Sequence, residues 1–194
     1  MKTKLLLLAA ALPLAGCISF GAKPPPSLLT LDATSAPAVG ADQNSAKTRS
    51  ITIQVPATPT AIAGGRVPVQ ATPTTIAYVK DALWAEPPAR LFARLLSDTV
   101  SARSNMVVLS TVQSIGDPSA TLAGELRRFG LDATTREAVV TYDAALIRGP
   151  ESVVEKRRFE ARVPVTEIEA APVGAALNQA ANQVAGEVAD WVGK

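Results

Sequence analysis

Cys17 is the only thiol in the 194-residue chain, and there is no histidine at all. Nucleophilic Ser–His and Cys–His pairs, histidine metal sites and histidine pH switches are therefore excluded. The surroundings of Cys17 set its chemistry. Met1-Lys2-Thr3-Lys4 is a short basic leader, Leu5 to Leu14 is an apolar run interrupted only by Pro13, and Leu14-Ala15-Gly16 puts small residues directly before the thiol. The apolar run is too short to cross a hydrocarbon core of about 30 Å, so it reads as a secretory signal and not as a permanent span. The other chemistry open to the chain is that of carboxylate pairs or Ser–Lys. A pair such as Glu125 and Asp143 is conceivable as a hydrolase centre, but no motif or spacing supports it.

Leu14-Ala15-Gly16-Cys17 resembles the lipobox of bacterial lipoproteins over all four of its positions. The resemblance implies diacylglyceryl transfer to the Cys17 thiol, cleavage before Cys17, and acylation of the new amino terminus. The competing reading is an ordinary secretory signal that ends by chance in a cysteine. Two or three acyl chains, at about 0.8 kcal/mol per buried methylene, hold a protein on a membrane where one would not. With Cys17 acylated, no thiol is left for a disulfide, a zinc site or a nucleophile. Ile18 follows, not the aspartate that retains many such proteins in the inner membrane. By analogy with that sorting rule the expected location is the outer membrane, facing the periplasm.

Removing residues 1–16 also removes Lys2 and Lys4, so 17 basic residues remain against 17 acidic ones and the formal net charge falls from +2 to zero. A nucleic-acid binder needs a surplus of Lys and Arg, so that class is set aside. Residues 17–50 are rich in Pro, Ala, Ser and Thr, with Pro24-Pro25-Pro26 near the start. They read as a lipidated tether ahead of a folded domain at 51–194. Within the tether, Ser27 to Leu31 is an apolar island, either a first edge strand or free linker.

Strand and helix periods alternate through the domain. Ile51 to Val55 reads as a half-buried strand ended by Pro56. Pro56, Pro59, Pro68, Pro73 and the Gly64-Gly65 pair predict an irregular loop over 56–75, with Arg66 to Gln70 a short edge strand. Ile76 to Val79 is a short extended piece. Leu91, Phe92, Leu95, Leu96 and Val100 recur at helical spacing after Pro87-Pro88, which suit a helix entry. Met106 to Leu109 reads as a well-buried strand. Thr121–Asp132, with a bulge near Arg127-Arg128, Ala138–Arg148 and Val153–Val163 form an antiparallel meander with one wet face. Pro172 to Val192 is an Ala-rich amphipathic helix. The predicted fold class is α+β, a two-layer sandwich of a mostly antiparallel sheet with both helices on one face.

Cys17, the strand before Pro56, and Trp84-Ala85-Glu86-Pro87-Pro88 leading into the Leu91–Leu96 helix together resemble the auxiliary lipoproteins of ABC-type intermembrane lipid transporters, the PqiC-like family that accompanies MCE proteins. Leu28-Leu29 stands where relatives often carry tyrosines. The resemblance implies a non-enzymatic docking component, without cofactor or metal, that works with an MCE-domain protein, a permease and an ATPase. Such systems move phospholipid or another hydrophobic molecule between the inner and outer membranes. This chain has no phosphate-binding Gly–Lys–Ser/Thr loop, so ATP hydrolysis would belong to the partner. Tyr78 and Trp84 are the candidate partner contacts, since aromatic residues are enriched at interface hot spots. For Trp84 the competing role is to cover the edge of the helix–sheet core. Arg127, Arg128, Arg136, Lys156, Arg157 and Arg158 either face anionic headgroups or form the solvated face of the sheet. The rival function is a structural or chaperone-type envelope lipoprotein, binding peptidoglycan or assisting outer-membrane assembly.

Overall fold

The computed structural model describes residues 25, 27–46, 48–110, 118–149 and 153–194. Cys17 and the 1–16 leader lie outside the described residues. The elements, in chain order, are β1 (Arg49–Ile53), α1 (Thr60–Ala63), β2 (Arg66–Thr72), β3 (Thr75–Leu83), α2 (Pro88–Arg103), β4 (Met106–Leu109), β5 (Ala120–Asp132), β6 (Glu137–Arg148), β7 (Val153–Pro164) and α3 (Ala170–Val192). Seven strands form one mixed sheet against α2 and α3, which is the α+β sandwich the periodicities predict.

The 13-residue β5 organises the sheet. Along one edge it pairs antiparallel with β6 over its full length, and β6 pairs in turn with β7. Along the other edge it is met first by β1 and later by β2, both parallel to it. Between them Ala57 bridges to Glu125 of β5, and the single turn of α1 follows. β4 extends β1 in parallel, and β3 extends β2 antiparallel. Most paired residues sit in the antiparallel ladders; the parallel pairings of β1 and β2 were not legible in the local sequence.

Side-chain alternation accounts for the layers. Leu122, Leu126, Tyr142, Ala144, Leu146, Phe159, Ala161 and Val163 are all buried. The ladder slips between Leu126 and Arg128, so the predicted bulge is present. It restores the inward phase, and Phe129 and Leu131 are buried beyond it. Pro88 stands at the start of α2, where its missing N–H costs nothing. Leu91, Phe92, Leu95, Leu96 and Val100 of that helix are buried. On α3 the buried stripe runs through Val173, Leu177, Ala181, Val184 and Val188, and its alanines allow the close approach of α2.

Four local readings need correction. Residues 56–75 hold α1 and β2 and not a loop throughout. β2 is internal, between β3 and β5, and not an edge strand. Pro68 is tolerated there because the ladder to β5 starts at Val69, while the ladder to β3 shifts register beside it. β1 is buried on both faces, Thr52 and Ser50 included, because β4 and β5 flank it. β4 is an end strand whose Met106 alone is fully buried.

Candidate interaction site

Tyr78 lies on β3 and Trp84 one residue beyond its end, and the two do not share a surface. Residues six apart share a face of a regular strand. Here the pairing with β2 passes from Arg66–Leu83 to Pro68–Tyr78, which inserts extra residues into β3. Within that irregularity Asp81 takes a left-handed φ of 56°. Asp tolerates this conformation better than most residues because its short polar side chain bonds locally. Val79, Ala82 and Trp84 are consequently all buried, an odd step of three that breaks the alternation.

Trp84 is 4% exposed, with its ring 5.3 Å from that of Phe129. Phe129 lies 6.4 Å from Phe92, and Phe92 lies 5.3 Å edge-on from Tyr142. The four rings form a continuous aromatic seam between sheet and helix, fixed at its far end by the Tyr142 hydroxyl donating to the Ala123 carbonyl at 3.0 Å. Trp84 is thus a core residue that supports the surface from beneath. Its indole N–H has no hydrogen-bond partner among the described residues. The adjoining Glu86 accepts from Arg94, closing the entry of α2.

Tyr78 has the opposite setting. It is 37% exposed, and the Arg66 guanidinium lies over its ring, 4.0 Å from the centroid. Ile76, two residues earlier, is about half exposed. The β2–β3 hairpin therefore presents an amphipathic patch of Ile76, Tyr78 and Arg66, the composition found at protein interfaces. Behind the hairpin, a small apolar cavity of about 100 Å³ is lined by Ile62, Pro68, Ile76, Phe129 and Leu131. Pockets for drug-sized ligands run from about 300 Å³ upward. This cavity has room for one apolar side chain and not for a lipid.

The basic residues are mostly spent within the sheet. Arg158 makes a two-pronged contact with Asp143 at 2.6 and 2.7 Å. Arg127 reaches Glu125 at 3.4 Å and Asp143 at 3.6 Å, and Arg128 bonds Asp132 at 3.0 Å. Arg136 donates to the Thr166 carbonyl. Arg162 bridges Glu160 and Glu137. This is the solvated face of the sheet, with ion pairs running both along and between strands, while Arg157 lies over the Phe159 ring, 5.0 Å from its centroid, and Lys156 adds its charge near Asp143.

The same ion pairs bear on hydrolysis. Glu125 and Asp143 are brought opposite each other across β5 and β6, as a hydrolase pair would need. Yet the Arg158 hydrogen bond holds the Asp143 carboxyl below its usual range, with Arg127 adding to the effect. Both carboxylates are engaged by arginine, Asp143 by Arg158 and Arg127 and Glu125 by Arg127, so they belong to the ion-pair network of the sheet.

Among the described residues no helix is long and apolar enough to cross a membrane. The family model of the ABC-type transport auxiliary lipoprotein component matches residues 29–189. No match to a curated protein was found. The fold is similar to that of a Xanthomonas campestris protein assigned to family DUF330, at TM-score 0.73 and 22% identity over 86% of this chain and 94% of that one. It is similar to a second, uncharacterised protein at TM-score 0.65 and 20% identity, over 74% and 92% of the two chains. A further likeness is to PelC from Paraburkholderia phytofirmans, crystallised as a dodecamer, at TM-score 0.50 and 13% identity over 83% and 96%. At these identities the structural likenesses speak to the fold alone, whereas the family match spans most of the chain: the protein belongs to the ABC-type transport auxiliary lipoprotein component family.

Proposed function

We propose that the protein is the membrane-anchored docking component of an MCE-type ABC system that moves phospholipid or another hydrophobic molecule between the inner and outer membranes. The observation that carries this reading is the family match over residues 29–189, joined to the complete lipobox at Leu14–Cys17. In this reading Cys17 bears the lipid, and Ile18 in place of aspartate directs the protein to the outer membrane. The domain engages the MCE-domain protein through the Tyr78 hairpin, and the permease and ATPase supply translocation and energy. It does so without chemistry of its own.

The anchor is tested by Cys17→Ser. The variant is expected to keep the wild-type melting temperature, lose incorporation of an alkyne fatty acid, and move from the membrane to the soluble fraction. A variant still membrane-bound in high salt refutes the anchor.

A further inference from the structure

Residues 28–34 belong by composition to the tether, but the structure binds them to the domain. Leu29 joins the sheet in a parallel bridge with Trp84. Its N–H donates to the Leu83 carbonyl at 2.7 Å, and its carbonyl accepts from Ala85 at 2.8 Å. The Leu29 side chain lies over Gly174 of α3, where a Cβ would come within 2.6 Å of its Cδ2. Leu29, Leu31 and Ala33 pack against the core with strand periodicity.

Between them the backbone is read by two amide side chains one helical turn apart on α3. Asn178 Oδ1 accepts from the Asp32 N–H at 2.9 Å. Asn182 Oδ1 accepts from the Thr34 N–H at 2.8 Å, while its Nδ2 donates to the Asp32 carbonyl at 2.9 Å. Asn182 therefore acts as a neighbouring strand would, satisfying one donor and one acceptor. Upstream, Pro24-Pro25-Pro26 have no N–H to give a ladder.

We propose that residues 28–34 are a docked strap that sets the working length of the membrane tether. Thirty-one residues separate Cys17 from β1, but only eleven separate it from Leu29. At full extension those eleven reach at most about 40 Å, against about 110 Å for the whole segment. The strap thus holds the domain close to the bilayer and sets the height at which a partner must present its docking surface. The proposal rests on Cys17 being the point of attachment to the membrane.

Its test supplies the anchor chemically. The chain from Cys17 onward is coupled through that sole thiol to a maleimide phospholipid in phosphatidylcholine bilayers. The result is then independent of whether a cell acylates Cys17, which fatty-acid labelling reads separately. Hydrogen exchange follows the Asp32 and Thr34 amides, and neutron reflectometry measures the gap between bilayer and protein. In the wild type both amides are expected to be protected and the gap to stay under about 40 Å. In Leu29→Asp/Asn178→Ala/Asn182→Ala, which removes the Leu29 side chain from Gly174 as well as both amide contacts and whose melting temperature is checked in parallel, protection is expected to fall at least about tenfold and the gap to widen. Wild-type Asp32 and Thr34 amides exchanging as fast as a free peptide overturn the proposal. So does an unchanged gap in a triple variant that has lost protection.

Discussion

Tyr78 on β3 and Trp84 just past its end do different work. The cost of truncation separates them. Trp84 closes the aromatic seam with Phe129, so Trp84→Ala is expected to destabilise the fold by about 3–5 kcal/mol. Tyr78→Ala removes an exposed ring beneath Arg66 and is expected to leave the melting temperature nearly unchanged while weakening partner capture. Thermal unfolding and a pull-down on the same two variants check this; equal destabilisation by both would remove Tyr78 from the contact surface. At the same scale, the Arg158 contact holds the Asp143 carboxyl below its usual range. A depressed folded value means the contribution is fully present above the unfolded value and is lost as pH falls through the folded one. Asp143→Asn should therefore flatten the stability–pH profile below about pH 4 and leave its shape near neutrality unchanged. A loss of stability confined to alkaline pH would contradict the assignment.

At the scale of elements, glycines mark where backbones or side chains must meet. A Cβ at Gly130 would lie 2.3 Å from the Pro68 carbonyl oxygen, where β2 joins β5. Neither backbone can yield cheaply, so Gly130→Ala is expected to cost about 1–3 kcal/mol. A Cβ at Gly186 would instead meet the tip of Arg103 at 2.7 Å, a flexible group whose exposed pair with Asp190 is worth little. Alanine also gains about 1 kcal/mol in helix propensity, so Gly186→Ala should be neutral or stabilising. Denaturant unfolding of the two variants distinguishes these outcomes, and similar losses in both would contradict them. The helices, the β5–β7 meander and the bulge were legible because their periodicities are long and locally complete. The β2–β3 hairpin was not, because Pro59, Pro68, Pro73 and Gly64-Gly65 look like breakers until β5 is known to pair only from Val69. The burial of Trp84 depends on the irregularity at Asp81, which alternation along β3 does not announce. The apolar island around Leu29 was legible as a possible strand, but the hold on Asp32 and Thr34 comes from Asn178 and Asn182, nearly 150 residues downstream, a distance local pattern cannot span.

The described residues form an α+β sandwich with a charged sheet face laced by ion pairs. An aromatic seam runs through its core, and one hairpin exposes apolar and aromatic groups. The family assignment makes the protein an auxiliary component of an ABC-type transport system. The direct test is to extract the lipidated protein from membranes with mild detergent, purify it through a carboxyl-terminal tag, and identify its companions by mass spectrometry. The account predicts an MCE-domain protein with its permease and ATPase, depleted by Tyr78→Ala. Recovery of peptidoglycan or outer-membrane assembly factors in their place would contradict it.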